Sequence, residues 1–446
     1  MTVGPSSPIN EPKAAFLGRQ DEFAVLDTAL SNAVRDGAQV LVVGGEAGIG
    51  KSTLLKMFAA RSDATARHVT VRCSPYDFDG VQPILRLTAG LGPDAPPPAV
   101  ITDPVPADPE QARAQRTELF STLVTGLLDR IGSAPTLAVI DDVHWGRAPL
   151  HELLAFFVEE LIARRLQHRL LLVLVTRLLP PPHPVAALLT DFERHLDLPR
   201  LQLGPLTPEH MAELVTTATT RAAITAVAGR QGRPSPAYVD LVQRSARGNP
   251  LRARAALRVL AQRRIDPGIR PSDRRAWGEI RLSPELADPV TAWISALPGP
   301  VRRTLTAGAL WSDELVPDDL LPLVDFPPAE MHQHLREAES IELLETDGRS
   351  YWFGHPSFRE VVLELADTSQ LQSLHARAAH TLQTRQSGGE PPDDATARRI
   401  AHHLLAAADL VPTDDALPAL VAAGHAARRA FSWTESSRYL EAARQL

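Results

Sequence analysis

One cysteine, Cys73, stands in a chain of 446 residues. A lone thiol cannot build an internal disulfide framework, so the fold must be held by packing alone. Positive charge is not in excess either: 46 Lys and Arg face 53 Asp and Glu, for a formal charge of −7 and a pI near 6.1. Proteins that coat nucleic acid usually carry a basic patch or a high domain pI, so DNA is not the expected direct partner of this chain. Long apolar runs are missing as well. The most apolar segment, Leu170 to Leu179, is interrupted by Arg177 and falls short of the ~20 residues that a bilayer span needs. The stretch before Phe16 is polar and proline-bearing, unlike a signal peptide. A reducing cytoplasm and no membrane are therefore expected.

An apolar share of 44% is ample for packed cores, and the length is that of about three domains. Short apolar runs at Val40–Val43, Val69–Val71, Leu137–Ile140, Leu170–Val175 and Leu198–Leu203 alternate with segments of helical periodicity. That alternation predicts an α/β domain with a parallel sheet covered on both faces, placed at residues 14–204 after a disordered 1–13. Within it, Gly92 to Pro109 is dense in Pro and Asp and is expected to be a surface loop, and Pro180 to Pro184 ends a strand. Thr207-Pro208-Glu209 then sets an N-cap and an N1 proline before a helical domain, 205–280. Residues 281–368 are expected to form a winged-helix domain, with helices at Asp288–Leu297 and Pro300–Leu310 and a hairpin of Ile341–Leu344 with Tyr351–Phe353 around Asp347-Gly348. Residues 369–446 are Ala- and Leu-rich and predict α-helix like the start of a TPR-like repeat, interrupted at Ser387 to Pro392.

The strand Val40–Val43 runs into Gly44-Gly45-Glu46-Ala47-Gly48-Ile49-Gly50-Lys51-Ser52, followed by a helix-compatible stretch from Thr53 to Ala60. Strand, glycine loop and helix in that order form a phosphate-binding P-loop. Glycines let successive N–H groups turn toward a phosphate, and the helix N-terminus adds positive potential at the same point. Lys51 would bridge the β- and γ-phosphates, and Ser52 would give its hydroxyl to magnesium. A glycine-rich turn beside an exposed lysine is the bland alternative, and the completeness of the pattern argues against it.

Leu137–Ile140 ends in Asp141-Asp142, an apolar strand delivering two carboxylates to its C-terminal edge, where ligands of open α/β sheets bind. Asp141 is expected to hold magnesium and Asp142 to orient or deprotonate the attacking water. Leu170–Val175 ends in Thr176-Arg177, and Arg177 is placed to sense a γ-phosphate. A spatial strand order of fifth, first, fourth, third, second lets the three elements converge. Cys73 is expected to pack at a strand end, since no Cys-His pair stands at motif spacing. The pair His402-His403 and the spacing of His375 to His380 do not match metal-ligand patterns on one helix face, so no zinc is assigned.

Phe16-Leu17-Gly18-Arg19-Gln20-Asp21-Glu22, the phosphate loop and Val139-Ile140-Asp141-Asp142-Val143-His144-Trp145 together resemble the signal-transduction ATPases with numerous domains, the STAND class of AAA-like P-loop NTPases. Within that class the resemblance is to the large ATP-binding, MalT-like regulators of the LuxR family. Arg72-Cys73-Ser74, Thr176-Arg177, Gly248-Asn249-Pro250-Leu251 and Phe353-Gly354-His355-Pro356 agree with it. The resemblance implies ATP or ADP with Mg2+ on Gly45 to Ser52, with Thr53 following. It also implies that Leu17, Gly18 and Arg19 pack near the adenine and ribose, that Pro250 covers the base, and that His355 reaches the β-phosphate in the ADP state. Adenine rather than guanine rests on the resemblance alone.

Regulators of that family end in a DNA-reading helix-turn-helix, and none follows within this chain, so contact with DNA is expected only through an output domain outside it. The resemblance implies a switch in which ATP and ADP favour different domain arrangements, with slow hydrolysis as the reset and self-association or a protein partner in the ATP state. The inducer is not legible. An ordinary ATP-driven enzyme or motor is the competing reading, for which neither a pore loop nor an arginine finger is evident. A scaffold with a degenerate site is a third, and the intact Lys51, Ser52 and Asp141 speak against it.

Overall fold

A computed structural model describes residues 17–78, 80–92, 108–179, 183–196, 198–225, 233–268, 284–385 and 392–446. The expected disorder of 1–13 and nearly all of the loops expected at Gly92 to Pro109 and Ser387 to Pro392 lie outside them, as does the heart of the Pro180 to Pro184 stretch. The described chain divides into two compact units, one of residues 21–46, 51–203 and 368–446, the other of the chain up to 20 with 47–50 and 204–367.

The first of these is built on five parallel strands, β1 Gln39–Gly45, β2 Arg67–Arg72, β3 Thr136–Asp141, β4 Leu170–Val175 and β5 Arg200–Leu203, in the order β2-β3-β4-β1-β5. This is the order expected from the sequence. Every residue of β3 and β4 is buried, because helices cover both faces of a parallel sheet and leave no position for alternating polar residues. The edge strands β2 and β5 do alternate, and β5 pairs with β1 only through its far end, Val42 to Gly45. Helix α1 Gln20–Asp36 leads into β1, and helices α2 Lys51–Ser62, α3 Gln82–Gly90, α4 Pro109–Ile131, α5 Ala148–Ala163 and α6 Pro184–Leu196 make the connections. Asp108 caps α4, its carboxylate accepting from the N–H groups of Glu110 and Gln111 at 3.3 and 3.4 Å. One core cluster joins Val40, Val42, Ile140, Leu172 and Leu174 of the sheet to Leu127, Ile131, Leu153 and Phe157 of α4 and α5.

Helices α15 Thr368–Arg385, α16 Asp394–Ala407, α17 Thr413–Arg429 and α18 Trp433–Gln445 complete this unit, each packed on the next in sequence. Small residues make that possible. A Cβ at Gly424 of α17 would come within 2.6 Å of the Leu440 side chain on α18, and Ala423 and Ala427 are fully buried beside it. Histidines of two of these helices also meet. His375 of α15 meets His402 and His403 of α16, with His375 Nδ1 and His403 Nδ1 2.8 Å apart. Among the described residues, no group of three or more His, Cys, Asp or Glu is arranged to hold a metal. No helix in them is long and apolar enough to cross a membrane.

In the other unit, α7 Pro208–Thr225, α8 Pro236–Ala246 and α9 Pro250–Gln262 pack together, α7 beginning where the Thr207 hydroxyl accepts from the His210 N–H at 3.3 Å. There follow α10 Pro289–Ser295, α11 Gly299–Trp311, α12 Pro317–Leu320, α13 Pro328–Ser340, the hairpin β6 Leu344–Thr346 and β7 Tyr351–Phe353, and α14 Pro356–Glu364. The hairpin turns at Asp347-Gly348 as expected, with Gly348 at φ 91° and the Asp347 carboxylate accepting from the N–H groups of Arg349 and Ser350, both at 2.9 Å. Its first strand starts later than Ile341. The Leu343 N–H closes on the Ala338 carbonyl at 3.0 Å and Glu342 takes φ 63°, so Ile341–Leu343 is spent leaving α13 in a left-handed turn before the chain extends.

Candidate functional site

β1 ends at Gly45 with φ 153°, and the loop beyond it places Gly48 at φ 77° and Gly50 at φ 104°. An L side chain is strained at these angles, which is the physical reason for glycine at these points of the loop. The helix opens at Lys51 itself rather than at Thr53, so Lys51 and Ser52 are its first residues. That puts the lysine and the hydroxyl at the positive end of the helix dipole, where anions bind. The Lys51 ammonium is buried and donates to the carbonyls of Gly45 and Glu46, both at 2.8 Å. Burial lowers its pKa, while Asp142 and Asp141 draw it back up.

Ser52 Oγ donates to Asp141 Oδ2 at 2.7 Å, so the loop hydroxyl and the carboxylate at the end of β3 share one point in space. The other Asp141 oxygen accepts from the Asp142 N–H at 2.9 Å. Asp142 is left-handed, φ 56° and ψ 41°, an uncommon backbone that turns its buried carboxyl back toward the strand end. Burial, and then the charge of Asp141 beside it, push its pKa up to about 6, in the range of a general base working near neutral pH. An alkoxide-free hydroxyl and a carboxylate are hard oxygen donors, the kind magnesium takes, and a single ion could touch both here.

Two further cations face this pair. Arg177, at the end of β4, lies over the Trp145 ring with its Cζ 5.9 Å from the ring centroid, and its charge acts on both Lys51 and Asp142. Thr176 before it is buried and donates its N–H to Val43 O at 3.0 Å, tying β4 to the strand that carries the loop. Arg72 is paired with Asp141 across the β2–β3 register, with Nη2 3.7 Å from Asp141 Oδ2 and Nε 3.6 Å from Asp142 Oδ2. The sequence reading gave Arg72 no chemical role, and register was the missing information. His144 is a second residue it underused. The ring is buried with Nδ1 3.9 Å from Asp142 Oδ1, and neither nitrogen has a hydrogen-bond partner among the described residues. Burial first, and then Arg177 and Lys51, lower its pKa to about 3, so the ring is neutral. Cys73 is buried behind the site and burial pushes its thiol pKa up, away from any nucleophilic role.

The middle of the loop, Ala47–Gly50, groups with the second unit. Buried Arg19 donates to the carbonyls of Ile49 at 3.2 Å and Gly204 at 2.7 Å, and Gly18 before it takes φ 70°. Asn249 is the N-cap of α9: its Oδ1 accepts from the N–H groups of Leu251 and Arg252 at 3.0 and 3.3 Å, and its Nδ2 donates to Ala47 O at 2.9 Å. Asn249 is thus the residue of this motif that holds Ala47, and Pro250 occupies the first turn of α9. Leu17 is half-buried, and Glu46 and Thr53 are exposed. His355 is the N-cap of α14, its Nδ1 accepting from the Ser357 N–H at 3.1 Å and its ring edge-on to Phe358.

No curated protein matches this chain. Among solved structures it is similar to a STAND protein with a tetratricopeptide repeat sensor from Pyrococcus horikoshii, at 16% identity and a TM-score of 0.47, over 96% of this chain and 64% of that one. The chain thus spans less than two thirds of that protein's length. It is also similar to Cdc6p from Pyrobaculum aerophilum, at 18% identity and a TM-score of 0.40, over 80% of this chain and 96% of that one. A Walker-type ATPase of Pyrococcus abyssi follows at 16% identity and a TM-score of 0.33, over 77% and 95%. The strand order and the loop geometry are those of a P-loop NTPase, and residues 15–175 match the family model of the AAA ATPase domain.

Proposed function

We propose that this chain is an ATP/ADP-dependent switch, binding the nucleotide with Mg2+ on Gly45 to Ser52 and hydrolysing it slowly. The observation that carries the reading is the meeting of Ser52 Oγ and Asp141 Oδ2 at 2.7 Å, beside a buried Lys51 at the start of α2. In this reading Lys51 binds the β- and γ-phosphates, Ser52 and Asp141 hold magnesium, Asp142 takes the proton of the attacking water, and Arg177 faces the charge on the γ-phosphate. When bound, the metal would neutralise phosphate charge and orient the phosphates for in-line attack.

The domain boundaries expected from sequence, the winged-helix character of 281–368 and the TPR-like character of 369–446 belong to the same proposal. So do the placement of Leu17, Gly18 and Arg19 near the adenine, of Pro250 over the base, and of His355 on the β-phosphate. The wider reading is the nucleotide-binding and oligomerisation module of a LuxR-type transcriptional regulator. Its support is the residue-level resemblance of the loop, the Asp141-Asp142-Val143-His144-Trp145 segment and the Gly248-Asn249-Pro250-Leu251 motif.

The test is to denature freshly purified protein, identify any released nucleotide by chromatography, and follow steady-state ATP turnover with and without Mg2+. Retained ADP with turnover far below the ~1–10³ s⁻¹ of ordinary enzymes supports the switch. Magnesium-independent turnover, or none with no nucleotide bound, contradicts it.

A further inference from the structure

Arg147 has no part in the phosphate chemistry, yet the structure invests heavily in its position. It follows Asp142 after the short 3-10 turn Val143–Trp145 and precedes the first residue of α5. Its guanidinium makes three contacts in different directions. One nitrogen donates to Glu435 of α18, a second donates to the carbonyl of Pro75 at 3.2 Å, and the face covers the Phe78 ring with Cζ 4.4 Å from the centroid. Glu435 is steadied on its other oxygen by the Ser432 hydroxyl at 3.2 Å. Phe78 also meets His402 of α16, ring centroids 5.6 Å apart. Side-chain exposure is only 23% for Arg147 and 16% for Glu435, so this ion pair is mostly withdrawn from water.

A withdrawn ion pair gains little over a packed apolar contact, but losing one partner is strongly destabilising because the other charge is left stranded. Such a pair is a poor glue and a good specificity device. Two short chain paths end on the same guanidinium, one starting at the acidic pair and the other at the arginine that faces it. One runs from Asp142 through the 3-10 turn to Arg147. The other runs from Arg72, which faces both carboxylates, through Cys73 and Ser74 to the Pro75 carbonyl that Arg147 engages. The first of these segments is stiff: the Trp145 and Gly146 N–H groups close on the Asp142 and Val143 carbonyls, both at 2.9 Å. The second is held by Asp77, whose carboxylate accepts from the Ser74 N–H and pairs with Arg86, both at 2.8 Å. Both acids are thus connected to Arg147 by short, hydrogen-bonded stretches of chain.

We propose that Arg147 couples the acidic pair to the C-terminal helices: the surface of Pro75, Phe78 and Arg147 is the docking site for α18 and α16 of this same chain, and Mg-nucleotide at Asp141 and Asp142 changes how tightly α18 is held there. The coupling rests on the nucleotide reading given above; the docking of α18 does not. A ligand biases such a contact only by differing in affinity for the docked and released forms, and the two paths supply the means.

Hydrogen–deuterium exchange on the full chain tests this, with calorimetric titration of Mg-ATP alongside. In the wild type, exchange across residues 433–445 is expected to change at least about threefold on adding a non-hydrolysable ATP analogue with Mg2+. Glu435→Gln keeps the shape and removes the charge; it should raise exchange there about tenfold without nucleotide and erase the nucleotide-dependent difference, with Mg-ATP affinity within about threefold of wild type. Arg147→Glu combined with Glu435→Arg should recover part of the protection, which a merely misfolded variant would not do. A wild type that binds Mg-ATP while its 433–445 exchange stays unchanged overturns the coupling and leaves the nucleotide site standing. A wild type that binds no nucleotide overturns both. Wild-type exchange in Glu435→Gln overturns the role of the ion pair itself.

Discussion

The hydroxyl of Ser52 lies 2.7 Å from a carboxylate oxygen of Asp141, although 89 positions of sequence separate them. The sheet order is the cause: β1 and β3 both flank β4, so the residues that leave their C-terminal ends open onto the same edge. That edge is where open α/β sheets place ligands. The neighbouring Asp142 differs in kind. Its backbone is left-handed and its carboxyl is buried and crowded by the charge of Asp141, and the proposed function accordingly gives it the proton of the attacking water rather than the metal.

Asp142→Asn is accordingly expected to bind Mg-ATP within a few fold of wild type while losing on the order of 10²–10⁴ in the single-turnover hydrolysis rate, the usual weight of a general base. Asp141→Asn should instead weaken the magnesium dependence of binding. Normal hydrolysis in the first variant together with normal Mg-ATP binding in the second would remove both assignments.

The same carboxyl links stability to pH. Its folded pKa, raised to about 6, stands above the ordinary value of 3.8, so the folded state holds this proton more tightly than the unfolded state. The stability that it contributes is present in full below about pH 4 and is lost as pH rises through about 6. Nucleotide-free Asp142→Asn should therefore be more stable than wild type at pH 7, by on the order of 1–2 kcal/mol, and no more stable at pH 4. Urea denaturation at the two pH values checks this; equal differences at both would contradict the burial of the charge.

His355 already spends Nδ1 as an acceptor for the Ser357 N–H, which in the neutral ring leaves the proton on Nε2 as a donor. If that donor serves the β-phosphate in the ADP state, His355→Ala should weaken ADP binding about tenfold or more and ATP binding less, and promote an open or self-associated form. Paired titrations with light scattering decide it. Equal losses for both nucleotides, with no change in mass, would sink the latch while sparing the phosphate loop.

Much of the nucleotide domain was legible because its signals are local. Continuous apolar runs such as Leu170–Val175 announce strands buried on both faces, and the spacing of Gly45, Gly48 and Gly50 before Lys51 fixes a loop with left-handed turns. What sequence hid depends on register or on contacts between distant segments. Arg72 acquires its place only because β2 pairs with β3 so that it stands across from Asp141. Asn249 was singled out only as part of a motif, and its bond to Ala47 needs the fold to appear. His375 and His403 lie on different helices, so reading each helix face alone could not bring them together. The late start of β6 turned on a single residue, Glu342, whose left-handed backbone no propensity announces.

The central claim, that Gly45 to Ser52 holds a nucleotide's phosphates with Lys51 as their cation, is tested most directly by calorimetric titration of Mg-ATP into wild type and Lys51→Ala. Lys51 sits buried at the head of α2, near Asp141 and Asp142, and is the loop's own side-chain cation. Removing it should weaken binding on the order of 100-fold, the scale of charge-assisted bonds lost to several phosphate oxygens, while the fold persists by circular dichroism. A Lys51→Ala protein that binds Mg-ATP as tightly as wild type would contradict the account at its centre.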